Sequence, residues 1–363
     1  MIPYVDLGAG SYTEIGQAHG DAFGQGAAAL FGVRWQLTRT RSGIKDVDAL
    51  RALAHAHVNF LGDHSPGHLA EILGLASASG LEPWQLVILN HYTDFRDIRP
   101  DPSSVGDPAV VADPSDGGCS AIYAPLPSGP VIAQTWDMHG TAEPFVNLVR
   151  VAPPDGPPMV TFTLAGCLGM TGLNAAGVAV CINNLTPSDA RVGLIWPALV
   201  RQMLLKTTAQ GALDVLMQAS LGSGHNYLIA DPNQMFNVEA TGGLKTQTAT
   251  ASNGGGEVVF HTNHYLDPAL EAVQAPLHPK TTTHQRWDHL CRLLAETPDS
   301  IEALWGVMGS HEGYPKSICS HVAGDEPSAA KTCGGIICDV TARRVYAQRG
   351  CLHEAPWRMV EVS

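Results

Sequence analysis

The chain has 363 residues, of which 45% are hydrophobic and 15% charged, so it can bury a large core in one or two domains. Its formal net charge of −13 disfavours nucleic acid and anionic membrane surfaces as partners. The first residues show no basic segment followed by an apolar stretch, and no apolar run approaches the roughly 18 residues of a membrane span. We therefore expect a cytoplasmic protein with no membrane partner.

The eight cysteines are too few in a chain of this length to form a dense disulfide scaffold. Most of them lie in apolar runs, such as Cys181 in the segment 178–182. We expect reduced thiols, because nothing in the sequence marks the chain for export. Cys119 differs from the others because it follows a pair of glycines at the start of a strand-like run.

The elements fall into two halves that meet at this cysteine. Residues 11–95 are mostly helical in pattern, with Ser11 and Glu14 spaced as a capping box, and residues 97–118 are typical of a linker. After Cys119 the pattern predicts strands, then helices, then strands and helices again. The predicted strands are 122–125, 131–136, 145–151, 159–164, 177–182, 227–230, 235–239, 257–261, 335–340 and 344–348; the predicted helices are 194–206, 209–220, 282–296 and 299–308. This order predicts an α+β fold of antiparallel sheets with helices layered outside.

The segment Asp116–Ser120 has the sequence Asp-Gly-Gly-Cys-Ser, which places a thiol directly after a residue without a side chain. The thiol of Cys119 can attack the carbonyl of Gly118, because glycine presents no steric obstacle. Cleavage would make Cys119 a chain N-terminus whose amine can serve as the base for its own thiol. The alternative is an idle, buried cysteine after a glycine turn.

Asp137 follows the cysteine by eighteen residues, at the end of the run Gln-Thr-Trp-Asp. A hairpin that turns at residues 127–130 would bring Asp137 back to the start of the Cys119 strand. A carboxylate there can hold and orient the new amine. The alternative is an aspartate that caps a turn.

The segment His261–His264 has the sequence His-Thr-Asn-His and closes a short apolar run. Asn263 can direct its amide at a developing oxyanion, whereas the alternative is an asparagine that satisfies loop backbone. Zinc binding by His261 and His264 is disfavoured, because this spacing suits a helix and no third ligand is evident. We expect no metal and no cofactor.

Asn183 and Asn184 end another predicted strand and are candidates for a second oxyanion donor. Glu239 also ends a strand, where it either lines the same cleft or is simply solvated. The chain shows no convincing glycine-rich phosphate loop and no Gly-x-Ser-x-Gly elbow.

Several of these motifs, in this order, resemble those of the isopenicillin-N acyltransferase family, also called peptidase family C45. These proteins are N-terminal nucleophile (Ntn) hydrolases. Glu-Ile-Gly with His-Gly at 14–20 resembles the family's opening signature, and Gly-Cys-Ser at 118–120 resembles its self-cleavage site. Gln-Thr-Trp-Asp at 134–137, His-Thr-Asn-His at 261–264 and Tyr-Pro with Ser-Ile-Cys at 314–319 resemble its later segments.

The resemblance implies a four-layer αββα sandwich that cuts itself between Gly118 and Cys119. Residues 1–118 would form a leader or α-subunit, removed or retained as the partner in an α/β heterodimer. Residues 119–363 would form the catalytic β-subunit, and the two together one globular unit. Cys119 is then the nucleophile, Asp137 orients its amine, and Asn263 stabilises the oxyanion with Asn183 or Asn184.

Two positions depart from the family pattern. Relatives often carry an arginine where this chain has Ser320, and an asparagine where it has Thr135. Either another cation favours the thiolate, or thiolate activation and recognition of the acyl end differ here. Ser320 is therefore a further candidate for contact with substrate.

These observations predict a self-cleaving cysteine amidohydrolase that acts on a small N-acyl amine or a peptide-like amide through a thioester acyl-enzyme. The first alternative is a CoA-dependent N-acyltransferase with a thioester donor and an acceptor of the β-lactam type. The second, from another class, is an uncleaved, non-catalytic binding protein.

Overall fold

The structure is a computed structural model that describes residues 1–98, 118–279, 281–321, 329–354 and 356–363. Its strands are β1 (Tyr4–Ala9), β2 (Cys119–Leu126), β3 (Gly129–His139), β4 (Val146–Ala152), β5 (Met159–Leu164), β6 (Thr171–Asn174), β7 (Ala179–Leu185), β8 (Gly224–Ala230), β9 (Gln234–Ala240), β10 (Lys245–Ser252), β11 (Val259–His261), β12 (Ala330–Asp339), β13 (Arg344–Arg349) and β14 (Arg358–Glu361). Its helices are α1 (Tyr12–Arg41), α2 (Val47–His64), α3 (Pro66–Ser79), α4 (Pro83–Asn90), α5 (Tyr92–Asp97), α6 (Trp196–Leu204), α7 (Ala209–Gln218), α8 (Pro268–Glu271), α9 (Thr283–Leu293) and α10 (Ile301–Met308).

The strands form two sheets. One has eight strands in the order β1-β4-β5-β6-β7-β8-β9-β10, and the other has six in the order β11-β2-β3-β12-β13-β14. All pairings are antiparallel except that of β1 with β4. The hairpin β2–β3 therefore lies inside the six-stranded sheet, with Cys119 at its first position.

Alternation along β2 shows how the layers stack. Ala121 and Tyr123 belong to the large core that also holds the eight-stranded sheet and helices α1 to α7. Ile122 points the other way, into a second core that includes Leu290 of α9 and Leu304 of α10. The order is helices, sheet, sheet, helices, which confirms the predicted α+β, four-layer αββα fold.

Helix α1 begins as the sequence predicts, because the Ser11 side chain and Glu14 form a capping box. It then crosses α3 at very short range. A Cβ on Gly16 would lie 2.0 Å from the Glu71 carbonyl oxygen, and one on Gly74 would lie 2.2 Å from the Thr13 carbonyl oxygen. Only glycine allows this close crossing, which gives Gly16 of the Glu-Ile-Gly motif a structural role.

The segment before the cysteine is mostly helical, as predicted, and it also supplies an edge strand, β1, to the eight-stranded sheet. A fully buried ion pair between Glu71 of α3 and Arg201 of α6 joins it to the remainder of the chain, at 3.0 Å. The division into subunits 1–118 and 119–363 stays a prediction, and residues 99–117 lie outside the described part.

In the part of the chain that the structure describes, no single helix has the length and apolar character needed to cross a membrane. The pair Pro66–Ser79 and Pro83–Asn90, bent by 111°, meets the criteria of length and composition only when taken together.

Candidate active site

The peptide bond between Gly118 and Cys119 is held by hydrogen bonds on both sides. The Asp137 backbone N–H donates to the Gly118 carbonyl oxygen at 2.8 Å, as β3 runs back beside β2. The Cys119 backbone N–H donates to Asn263 Oδ1, also at 2.8 Å. The predicted hairpin thus brings Asp137 to this bond, and the segment after β11 brings Asn263.

Arg286 of α9 is a charged side chain that lies against this bond, and only 1% of its surface is exposed. Its Nη1 donates to the Cys119 carbonyl oxygen at 2.7 Å and to Ser120 Oγ at 3.2 Å. Its Nη2 donates to Asn263 Oδ1 at 2.6 Å. Burial lowers the pKa of Arg286, whereas Asp137 and Cys119 oppose that shift.

Gly118 makes this close approach possible. A Cβ at this position would lie 2.3 Å from Arg286 Nη2 and 2.7 Å from Asn263 Oδ1, both far inside contact distance. Any larger residue would displace the Arg286 guanidinium or the Asn263 amide, which accepts from the Cys119 N–H. Glycine is therefore required here by packing against Arg286 and Asn263.

Asp137 is buried and accepts a hydrogen bond from Thr332 Oγ1 at 2.6 Å. Burial raises the pKa of Asp137 to about 6, although Arg286 and the Thr332 hydroxyl both lower it. A carboxylate with this pKa is ionised at neutral pH and is still a competent proton acceptor.

The Cys119 thiol is also buried, and its pKa is raised to about 12 by burial and by the charge of Asp137. Arg286 and the backbone N–H groups of Asn184 and Asp137 favour the thiolate and limit the rise. Because the thiolate is the nucleophilic form, Cys119 needs a base to remove its proton at neutral pH.

The two neighbouring asparagines of β7 differ in what they contact. Asn183 donates through Nδ2 to the Cys119 carbonyl oxygen at 3.0 Å and to the His261 carbonyl oxygen at 3.3 Å, while its Oδ1 accepts from Asn226. Asn184 Oδ1 is buried without a hydrogen-bond partner among the described residues. Asn183 is thus committed to the position of Cys119, and Asn184 is the asparagine with spare hydrogen-bonding capacity.

Asn263 presents its side-chain oxygen, not its NH₂ group, to the cysteine. Its Nδ2 donates to the Asn184 carbonyl oxygen at 2.9 Å, and its backbone N–H donates to Thr283 Oγ1 at 2.7 Å. An acceptor in this position suits the retention of an amine at Cys119. The role of oxyanion donor stays a prediction for Asn263.

Glu239 is fully buried, so the alternative of a solvated strand end is wrong. It accepts from His261 Nε2 at 2.7 Å, from the Leu266 N–H at 2.7 Å and from the Asp267 N–H at 3.0 Å. Burial raises its pKa, but these hydrogen bonds lower it on balance. Glu239 holds the segment that carries Asn263 in place.

Ser320 is connected to Asp137 through the hydroxyl of Thr332. Its backbone N–H donates to Thr332 Oγ1 at 2.7 Å, and its hydroxyl donates to the Pro315 carbonyl oxygen at 3.3 Å. Arg286, on a different element, places a cation beside Cys119, where it donates to the carbonyl oxygen of that residue. Arg286 was not predicted from the sequence, because no motif distinguishes it within the polar helix α9.

A cysteine that begins an inner strand of an αββα sandwich, after a glycine and beside a carboxylate, defines the class of Ntn hydrolases. The profile of the family described as "Acyl-coenzyme A:6-aminopenicillanic acid acyl-transferase" matches residues 126–347. The chain belongs to this family, which confirms the predicted class of enzyme, hydrolase or acyltransferase. The matched region contains Asp137, Asn263 and Arg286 and begins seven residues after Cys119.

Three individual proteins illustrate the similarity. The 40 kDa form of acyl-coenzyme A:6-aminopenicillanic-acid-acyltransferase from Emericella nidulans is 24% identical over 346 residues, covering 94% of this chain and 91% of that protein. Penicillin V acylase from Agrobacterium tumefaciens is 13% identical, with a TM-score of 0.36 over 67% of this chain and 86% of that chain. The Caenorhabditis elegans ortholog of N-acylethanolamine-hydrolyzing acid amidase is 12% identical, with a TM-score of 0.40 over 60% and 92%.

Proposed function

We propose that the protein is a self-cleaving cysteine amidohydrolase that acts on a small N-acyl amine or peptide-like amide. The observation that carries this proposal is the Gly118–Cys119 bond, whose carbonyl oxygen accepts from the Asp137 N–H and whose nitrogen donates to Asn263 Oδ1. A buried carboxylate and a buried guanidinium flank the same bond. Structural packing alone gives no reason to gather these groups around one peptide bond.

Maturation begins when Asp137 accepts the proton of the Cys119 thiol. The sulfur attacks the Gly118 carbonyl carbon, and the negative charge on its oxygen is stabilised by the Asp137 N–H. The carbon–nitrogen bond breaks as the proton passes to the Cys119 nitrogen, leaving a thioester and a free α-amine. Water then hydrolyses the thioester, which gives a Gly118 carboxylate and regenerates the Cys119 thiol.

Turnover of substrate uses the same atoms, with the new amine as the base. The α-amine of Cys119, held by Asn263 Oδ1 and balanced by Asp137, accepts the thiol proton. The sulfur attacks the substrate carbonyl, and the amine returns the proton to the leaving nitrogen. Asn184 stays our candidate for the oxyanion donor through its NH₂ group, whereas the atom that the described residues leave without a partner is its acceptor oxygen, Oδ1.

Trp136, the cross-strand partner of Cys119, lines a small cavity of mixed character together with Arg34, Asn90, Met138 and Met170. Its volume of about 10 Å³ is room for one water at most, so the small acyl group is proposed from the chemistry of the site and not from this cavity. For location, the cytoplasm stays our expectation.

The test is release of amine from a panel of N-acyl amines, β-lactams and short peptides by the full-length protein. We expect activity from the wild type and from Cys291→Ser, which alters an exposed cysteine on α9. Cys119→Ala should be inactive, and an acyl adduct on Cys119 should be trapped in the wild type at early times. Wild-type protein that releases no amine and does not react at Cys119 would favour the non-catalytic binding protein.

Acyl transfer is the second candidate, and it is favoured by the name of the matched family and of the Emericella relative. It is distinguished from hydrolysis by the fate of the acyl group. With an acyl-CoA donor and a β-lactam amine, a transferase forms the N-acyl product in proportion to the CoA thiol released. A hydrolase forms the free acid at the same rate with and without the acceptor.

A further inference from the structure

Four potential metal ligands outside the active site converge on a single point. They are His311, which follows α10, Cys319 and His321, which share a loop, and Cys351, which follows β13. One ligand atom from each lies within 4.8 Å of every other. Cys319 is buried and the other three residues are half-buried, so the cluster is largely shielded from water.

Three of the six separations between ligand atoms are close to the edges of a tetrahedron around zinc, and all six are within 4.8 Å. The two Sγ atoms are 3.8 Å apart, Cys351 Sγ is 3.4 Å from His311 Nε2, and the two imidazole Nε2 atoms are 3.0 Å apart. Ideal Zn–S and Zn–N bonds give edges of about 3.8 Å for S–S, about 3.6 Å for S–N and about 3.3 Å for N–N. We propose that these four side chains form a structural zinc site.

The surroundings of the cluster also fit a bound metal. The Leu352 backbone N–H donates to Cys319 Sγ at 3.3 Å, a contact that stabilises a thiolate ligand. Two thiolates and two neutral imidazoles select Zn²⁺ over Mg²⁺ or Ca²⁺, which prefer oxygen ligands. Because the protein fills all four positions, the ion is structural and has no open site for substrate.

A disulfide between Cys319 and Cys351 is the competing account of these two thiols. A disulfide needs the sulfurs about 2.05 Å apart and leaves the histidines with no function. The observed separation is 3.8 Å, and both imidazole Nε2 atoms face the same point as the sulfurs. The geometry therefore favours a metal.

The site adjoins the segment that supports Asp137. Cys319 and His321 flank Ser320, whose N–H donates to Thr332 Oγ1 at 2.7 Å, and Thr332 Oγ1 donates to Asp137 at 2.6 Å. Zinc would fix this loop and so act as a positioning device for Asp137. That consequence rests on the proposed function, whereas the metal site itself does not.

The experiment measures metal in the full-length chain purified under reducing conditions without a metal-affinity step. We expect one zinc per chain in the wild type and in Cys291→Ser, whose thiol is exposed and outside the cluster. In Cys351→Ser and His311→Ala, zinc content at equal protein should fall by about tenfold. Replacement of zinc by Co²⁺ should give the visible absorption bands of tetrahedral cobalt with thiolate ligands.

The cobalt spectrum keeps the test decisive if a ligand variant fails to fold, because it is recorded on the wild type. Wild-type protein without stoichiometric zinc, and without the tetrahedral cobalt spectrum on addition of Co²⁺, would overturn the proposal. So would a Cys319–Cys351 disulfide in protein isolated with its thiols otherwise intact. None of these readouts depends on cleavage or amidase activity, so failure of the zinc site is distinguishable from failure of the proposed function.

Discussion

Two clusters of side chains surround cysteine thiols with different chemical groups. One is the Cys119 cluster, and the other is the cluster of His311, Cys319, His321 and Cys351. Around Cys119 the neighbours are an arginine, an aspartate and amides, and they converge on a peptide bond. Around Cys319 and Cys351 the neighbours are imidazoles, and they converge on a point in space. Burial of a thiol therefore does not define its function. The groups placed around the sulfur, and what they point at, decide between reaction and metal binding.

The largest effect should come from the guanidinium of Arg286, which contacts the Cys119 cluster. Arg286→Met leaves the Cys119 carbonyl oxygen and Asn263 Oδ1 buried without this donor, so cleavage and amidase rates should fall by about 10²- to 10³-fold. Arg286→Lys keeps the charge but loses the fork, and its loss should be intermediate. Rates are measured on folded protein, checked by circular dichroism.

Arg292→Met is the matched control for Arg286, because Arg292 lies on the same helix and is exposed in a surface ion pair with Glu312. It should cleave at the wild-type rate. Equal losses in Arg286→Met and Arg292→Met would mean that α9 acts through packing alone.

The second largest effect should come from adding a methyl group at Gly118. Gly118→Ala forces apart Arg286 and Asn263, whose atoms would lie 2.3 and 2.7 Å from the new Cβ, so self-cleavage should slow by about 10²-fold. Gly32→Ala is the control, because its Cβ would meet nothing within 4 Å. Cleavage is followed on gels over time; wild-type kinetics in Gly118→Ala would show that the tight contact is not needed.

The pH dependence of cleavage should report the Asp137 carboxylate, whose pKa burial raises to about 6. Because the ionised form is the base, the wild-type rate should fall about tenfold per unit as the pH drops below 6. Asp137→Asn should be slow at every pH and lose this dependence. A wild-type rate that stays flat from pH 7 to pH 5 would remove Asp137 from the role of base.

The smallest effect should lie between the two clusters, at Thr332. Its hydroxyl lowers the pKa of Asp137, so Thr332→Val should raise the midpoint of the pH profile by about half a unit. Thr40→Val, which alters a hydroxyl bonded only to its own helix, should leave the midpoint unchanged. An unchanged midpoint in Thr332→Val would show that Thr332 does not connect the pKa of Asp137 to the loop that carries Cys319 and His321.

The order of elements was predictable because most of them follow hydrophobic periodicity. The strand β10 was missed, since Lys245–Ser252 is polar and forms an edge of its sheet with an exposed face. β1 was missed because the sequence does not show that it pairs with the distant β4.

The residues of the two clusters likewise divide into those that a sequence motif indicates and those that it does not. Cys119, Asp137 and Asn263 lie in motifs along the chain and were candidates from the sequence, and the structure brings them together. Arg286 was not a candidate, because its position depends on how α9 packs on the sheet. The cluster of His311, Cys319, His321 and Cys351 was not predicted either. Its residues come from three segments, and their spacing along the chain is not typical of a metal site. Tertiary packing brings those groups together, and no local sequence pattern indicates that it does.

The mass of the chain after incubation at neutral pH tests the central claim most directly. We predict two fragments from the wild type, residues 1–118 and a second that begins with Cys119 as a free N-terminus. Cys119→Ala should stay at the mass of the intact 363-residue chain. An intact wild-type chain, or cleavage at Gly118 in Cys119→Ala, would contradict the account.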